Sequence, residues 1–135
     1  MSYLLDTNVV SELRRKLPNP GVVSWFSDRP ASTLFLSVLT LGELRKGIDG
    51  ASGAARRMAL SDWLETELPR FFAGRMLNLD APIADRWGRL IAAAGRPAID
   101  SLLAATAAHH GLSLVTRNAR DFEGLGIEVI NPWTG

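Results

Sequence analysis

At 135 residues and 47% hydrophobic side chains, the chain is long enough for one ordinary core, and a single domain over 1–135 is expected. A formal charge of +1 excludes a strong global field toward nucleic acid or membrane, and the lack of Cys excludes disulfides and thiolate metal sites. There is no basic leader followed by an apolar stretch and no run of about 18 apolar residues, so a cytoplasmic protein is expected.

The chain opens MSYLLDTNVVSEL. Tyr3-Leu4-Leu5 reads as a buried strand that ends on Asp6, and Val9, Val10 and Leu13 then fall at helical spacing. Thr7 or Asn8 is available to cap that helix. Asn19-Pro20 starts a second helix, with a cap followed by proline at the first helical position. Residues 33–36 read as a strand and 38–48 as a helix with Leu41, Leu44 and Ile48 on one side. After a loop over 50–53, Leu60, Trp63, Leu64, Leu68 and Phe71 mark one long helix. Residues 76–79 are a short strand, and Asp80 caps a helix carrying Ile83, Trp87, Leu90 and Ile91. Gly95-Arg96-Pro97 punctuates, a helix covers about 98–110, and Gly111 closes it. The last strands are 112–116 and 127–130. Strands alternating with helices predict an α/β fold with a mostly parallel sheet and helices on both faces.

Of the 14 acidic residues, most have plain explanations. Glu12, Asp28, Asp49, Asp62, Glu65, Glu67, Asp85 and Glu123 are assigned to polar faces or loops, Asp80 to a cap, and Glu128 to the wet side of a strand. Four acids remain. Asp6 ends a strand, at the edge where open parallel sheets bind ligands, although a carboxylate there also serves as a helix cap. Glu43 fits a capping box with Thr40, yet the helix begins nearer Ser37, which leaves Glu43 too far in. Asp100 sits in an otherwise apolar helix and needs the helix dipole or a cation. Asp121 follows the strand ending at Thr116, where a turn role is the alternative.

If the four converge, their repulsion raises their pKa values unless cations intervene. Oxygen donors alone select a hard ion, Mg²⁺ or Mn²⁺; His109 and His110, at a helix end, are assigned to the surface. Carboxylate-held Mg²⁺ suits phosphoryl chemistry, with Thr7, Asn8, Thr116 and Asn118 as hydrogen-bonding helpers for water or phosphate. At this level nuclease and phosphatase remain equally open.

The segments YLLDTNVVSEL, LSVLTLGELRKG, DSLLAATAAHHGLSLVTRNARDF and VINPW, in this order and over essentially the whole chain, resemble the PIN-domain family. Within it the chain resembles specifically the VapC ribonuclease toxins of bacterial toxin–antitoxin pairs, with the related FitB proteins nearby. The resemblance implies a three-layer α/β/α fold and a Mg²⁺- or Mn²⁺-dependent endoribonuclease. It matches Asp6, Glu43, Asp100 and Asp121 to the family's acidic cluster and Thr116 to its polar strand-end position. Asp6 and Asp100 are the surest metal ligands by that match, and the fourth position is either Asp121 or Asn118. It further implies a homodimer and a cognate VapB-like antitoxin that blocks the acidic pocket and alone contacts operator DNA. Arg14, Arg15, Lys16, Arg45 and Lys46 are candidate phosphate contacts.

Two rivals stand beside this. A FitB-like chain would act mainly as partner of a DNA-binding antitoxin, with little free nuclease activity. A small haloacid-dehalogenase-type phosphatase also starts on a strand ending in Asp, but that chemistry wants a second acid where this chain has Asn8.

Overall fold

The computed structural model describes residues 1–95 and 97–134; Arg96, in the punctuation noted above, lies outside the described residues. Five strands form one sheet in the order β3-β2-β1-β4-β5, and every pairing is parallel. They are β1 (Tyr3–Leu5), β2 (Leu34–Ser37), β3 (Met76–Leu77), β4 (Ser113–Val115) and β5 (Val129–Ile130). The helices are α1 (Thr7–Leu13), α2 (Pro20–Ser27), α3 (Val38–Asp49), α4 (Ala54–Asp62), α5 (Leu68–Phe71), α6 (Ala81–Ala94) and α7 (Ala98–His110).

Period-two alternation along the strands builds two cores. Leu5, Leu34, Leu36 and Val115 face one way, under Val9 and Val10 of α1, Val22 of α2 and Leu44 and Ile48 of α3. Leu4 and Leu114 face the other way, under Leu103, Ala104 and Ala107 of α7. Both faces of the sheet are covered, which is why its strands read as continuous apolar runs. The α/β/α layering is therefore the expected one.

Several boundaries differ for identifiable reasons. The first helix is capped by Asp6 itself, not by Thr7 or Asn8: its Oδ1 accepts from the Thr7 N–H at 2.7 Å, and Thr7 already has helical backbone. The expected long helix is α4 and α5 joined by a π-helical turn, Trp63–Glu67, which precedes Pro69. Proline lacks the N–H that an unbroken α-helix needs at that point. The strands at 76–79 and 127–130 shorten to two residues each, because they form the sheet's outer edges and pair on one side only. Asn19, Ser37 and Asp80 cap α2, α3 and α6 by side-chain bonds to backbone N–H groups. Gly111 ends α7 at φ 66°, in the left-handed region that glycine enters without a Cβ penalty.

Candidate functional site

The sheet register places the site. Leu5 pairs with Val115, so the next residues, Asp6 and Thr116, leave neighbouring strands side by side at the carboxyl edge. The Asp6 N–H donates to the Val115 carbonyl at 2.9 Å, and the Thr116 N–H to the Ile130 carbonyl at 2.9 Å. The fully buried Thr116 hydroxyl donates to Asp6 Oδ2 at 2.8 Å. Thr116 Oγ1 in turn accepts from Asn8 Nδ2 at 3.2 Å and from the Asn118 N–H at 3.1 Å. Asp6 is buried to 8% exposure, with a donor on each carboxylate oxygen.

Glu43 enters from the second turn of α3. Its Oε1 accepts from the Thr7 hydroxyl at 2.6 Å, and that hydroxyl also meets buried Thr40 at 3.1 Å. Because Ser37 is the cap of α3, the capping-box role for Glu43 is excluded. Asp100 comes from the first turn of α7. Asp6, Thr7, Asn8, Glu43, Asp100 and Asn118 all line one open cleft of about 550 Å³. Asp121 stands outside the lining, exposed on a 3-10 turn (Ala119–Phe122) that buried Phe122 anchors beneath α7. Its charge nevertheless reaches Asp100.

Electrostatically the cleft is strained. Burial pushes the Asp6 carboxyl above its ordinary range; bonds from Thr116 and Thr7 oppose this, while the charges of Glu43 and Asp100 add to it. Asp100 is also raised, first by desolvation and then by Asp121 and Glu43. A cation would relieve this crowding, and oxygen donors suit a hard divalent ion. Among the described residues, however, no three Asp, Glu or His side chains group closely enough to form a metal-holding cluster. The acids fit such an ion in donor type and charge, and ring the cleft instead of meeting at one point.

Glu12 needs correction. It does not sit on a polar face: it is buried to 5% exposure and lines the same cleft. Its Oε2 accepts from the Asn19 N–H at 2.8 Å and its carboxylate pairs with Arg15 at 3.3 Å. That backbone bond first, with Arg15 next among the stabilising partners, holds its pKa below the usual range. Its place one helical turn beyond Asn8 on α1 puts it near the cleft, but nothing in the sequence shows its burial. Arg117 and Trp133 also line the cleft and were not singled out as site residues.

The basic candidates divide. Arg15 lines the cleft, Arg14 stacks over the Trp63 ring at 4.9 Å, and Arg45 is tied to Ser61 and Glu65 at 2.9 Å each. His109 and His110 are exposed at the end of α7, as expected.

Residues 3–127 match the PIN domain family. Plasmid stability protein StbB of Pseudomonas syringae is 39% identical over 96% of this chain and 97% of its own length. VapC ribonuclease Y4jK of Sinorhizobium fredii is 36% identical over 96% of each chain. The crystal structure of FitAcB from Neisseria gonorrhoeae contains a chain that superposes with a TM-score of 0.90 at 35% identity, covering 97% of this chain and 98% of that one. With a parallel α/β/α scaffold, an acidic cleft at its carboxyl edge and these relatives, the chain belongs to the PIN-domain family, alongside the VapC and FitB proteins.

Proposed function

We propose that this chain is the ribonuclease toxin of a VapBC-type toxin–antitoxin module, a divalent-metal-dependent endoribonuclease acting in the cytoplasm as one PIN domain. The observation that carries the reading is the shared cleft of Asp6, Glu43 and Asp100 at the sheet edge of a chain 36% identical to a VapC ribonuclease. Asp6 and Asp100 would chiefly hold Mg²⁺ or Mn²⁺, completed by Glu43 and by Asp121 or Asn118. A divalent ion supplies Lewis acidity toward a phosphodiester and a lowered pKa for the attacking water.

The chain's own residues do the positioning. Thr116 and the Thr7 N–H fix both oxygens of Asp6, so that carboxylate needs no reorganisation to receive positive charge. The Thr7 hydroxyl orients Glu43. Asn8, braced by Thr116 and by the Arg117 N–H, holds the floor of the cleft. Arg15 and Arg117 offset the acids where RNA phosphates enter, which makes binding salt-sensitive.

The partner we infer is a VapB-like antitoxin that covers the cleft and carries the operator-binding half. Support comes from the structure of FitAB bound to an IR36 DNA fragment, one chain of which superposes with a TM-score of 0.89 at 33% identity. A homodimer belongs to the same reading. No described helix is long and apolar enough to cross a membrane. The likeness to Toxin FitB, 36% identical over 96% of this chain, keeps a second reading: a binding partner with little nuclease activity of its own.

Cleavage of RNA by the purified chain, with Mg²⁺ or Mn²⁺ and with chelator, separates the two. Metal-dependent cleavage that disappears in Asp6→Asn supports the enzyme. Absence of cleavage, together with tight antitoxin binding, supports the partner.

A further inference from the structure

The closing Asn131-Pro132-Trp133 is left without a role by the proposed function, yet its Trp133 lines the cleft. Trp133 is half-buried: it packs against the core beneath α1 to α3 and also lines the cleft that holds Asp6, Glu43 and Asp100. The exposed Arg117 lines it too, and its guanidinium carbon stands 5.5 Å from the Trp133 ring centroid.

The backbones of both residues are tied to the acidic floor. Asn131 Nδ2 donates to the Arg117 carbonyl at 3.2 Å, while Asn131 Oδ1 accepts from the Trp133 N–H at 2.9 Å. The Arg117 N–H donates to Asn8 Oδ1 at 3.2 Å, and Asn8 Nδ2 donates to Thr116 Oγ1 at 3.2 Å. Thr116 in turn donates to Asp6. A continuous chain of bonds therefore sets the Trp133 backbone at a fixed place relative to the Asp6 carboxylate, and packing against the core holds the indole itself. From behind, the Pro132 carbonyl packs so tightly on α2 that a Cβ on Gly21 would lie 2.9 Å from it.

A polyanion entering a cleft lined by four carboxylates, Asp6, Glu12, Glu43 and Asp100, needs both a cation and an apolar face to hold it. A braced indole beside an exposed guanidinium offers both. Aromatic rings stack on unpaired bases irrespective of sequence, and arginine either extends the stack or pairs with a phosphate. A paired base keeps its faces within the duplex and cannot use such a wall.

We propose that Trp133, with Arg117 beside it, is the base-stacking wall of this site and takes one unpaired nucleobase next to the scissile phosphate. Trp133 is a positioning residue, and its role rests on the ribonuclease reading above. Arg117 covers the indole in the free chain and turns to the neighbouring phosphate as the base seats.

The test combines protein and RNA changes. Wild-type chain, Trp133→Phe and Trp133→Leu are compared for kcat and KM on a short single-stranded oligoribonucleotide. Binding is followed by fluorescence anisotropy in an Asp100→Asn background. Abasic nucleotides are then placed in turn at each position flanking the cut. Trp133→Leu, which keeps apolar bulk, is expected to raise KM and weaken binding roughly tenfold to a hundredfold, with Trp133→Phe much milder. One abasic position should cost the wild type a similar factor and cost Trp133→Leu nothing further. That lack of additivity is a readout a merely structural tryptophan does not produce, and the cycle can be run in Trp133→Phe if the leucine variant fails to fold.

Unchanged KM and binding in Trp133→Leu, or abasic losses that multiply with it at every position, overturn the proposal while leaving an active ribonuclease in place. A wild-type chain that neither cleaves nor binds RNA removes the ribonuclease reading itself, and the stacking wall with it.

Discussion

The two sides of the cleft are built on different principles. The strand side, buried Asp6 and Thr116 with half-buried Asn8, is closed by hydrogen bonds of 2.7 to 3.2 Å on its short contacts. The helix side, Glu43 on α3 and Asp100 on α7, is exposed or half-buried. Asp100 there is disturbed by its partial burial and by the charges of Asp121, outside the lining on the 3-10 turn, and of Glu43. The strand edge supplies a position; the helices supply charge. A cleft of this kind keeps its geometry when a helix acid is lost and keeps its charge when a strand-side hydroxyl is lost.

Replacing the helix acids one at a time is the sharpest way to break that comparison. Asp100→Asn should lower RNA cleavage by more than about a hundredfold, beyond what losing an outer partner of a metal site usually costs. Asp121→Asn, outside the cleft lining, should lower it only about tenfold. Steady-state cleavage rates at saturating Mg²⁺ decide the matter. Equal losses in the two variants would mean that Asp121 swings into the cleft when substrate is present.

On the strand side, Thr116→Val is the matching change. It preserves shape but deprives the Asp6 carboxylate, the Asn8 amide and the Asn118 N–H of their common partner. Leaving buried polar groups unmatched costs about 1–3 kcal/mol. Urea unfolding should show that loss, along with lower activity. A change within about 0.5 kcal/mol, the range of an ordinary surface substitution, would show the network to be slack.

What could be read from the sequence follows the same division. Asp6 and Thr116 were legible because each terminates an apolar run, and a parallel sheet brings such ends to one edge. Asp100 was legible as a misfit acid in an apolar helix. Glu12 was not, because helix periodicity assigns a charged residue between apolar positions to water. Its burial depends on the turn after α1 folding back to offer the Asn19 N–H. Arg117 and Trp133 face each other only because β4 and β5 are adjacent, and 16 positions separate them with no local signal. The π-helical turn answers the N–H that Pro69 lacks, a local effect that apolar periodicity does not register.

Protons give a third contrast, within the cleft itself. The folded chain raises the carboxyls of Asp6 and Asp100, so it binds protons more tightly than the unfolded chain between the ordinary and the raised pKa. In metal-free buffer their contribution to stability therefore falls as pH rises from the ordinary aspartate value of about 4 through the raised folded values. Glu12 has the opposite sign: its lowered pKa stabilises the fold above the ordinary glutamate value, and this is lost on acidification through the folded pKa. Chemical unfolding across this range should show Asp100→Asn at least as stable as the wild type at neutral pH, with a flatter profile. Glu12→Gln should be the less stable variant at neutral pH. A less stable Asp100→Asn would count against repulsion between the acids.

The smallest effect concerns how the cleft wall is held from behind. Gly21 lies in the first turn of α2, where replacing glycine by alanine in a helix interior would ordinarily gain up to about 1 kcal/mol. Here the added Cβ meets the Pro132 carbonyl at 2.9 Å and the capping Asn19 Oδ1 at 3.1 Å. The carbonyl is backbone and cannot swing aside, so either the cap or the closing segment must move. Gly21→Ala should thus cost about 1 kcal/mol net, the lower end for overpacking a tight contact. Since Pro132 directly precedes Trp133, KM for RNA should rise with it while kcat holds. A stabilised Gly21→Ala with unchanged KM would show that the closing segment is not clamped on α2, and the wall's rigidity would then rest on Asn131 and on the packing of the indole against the core.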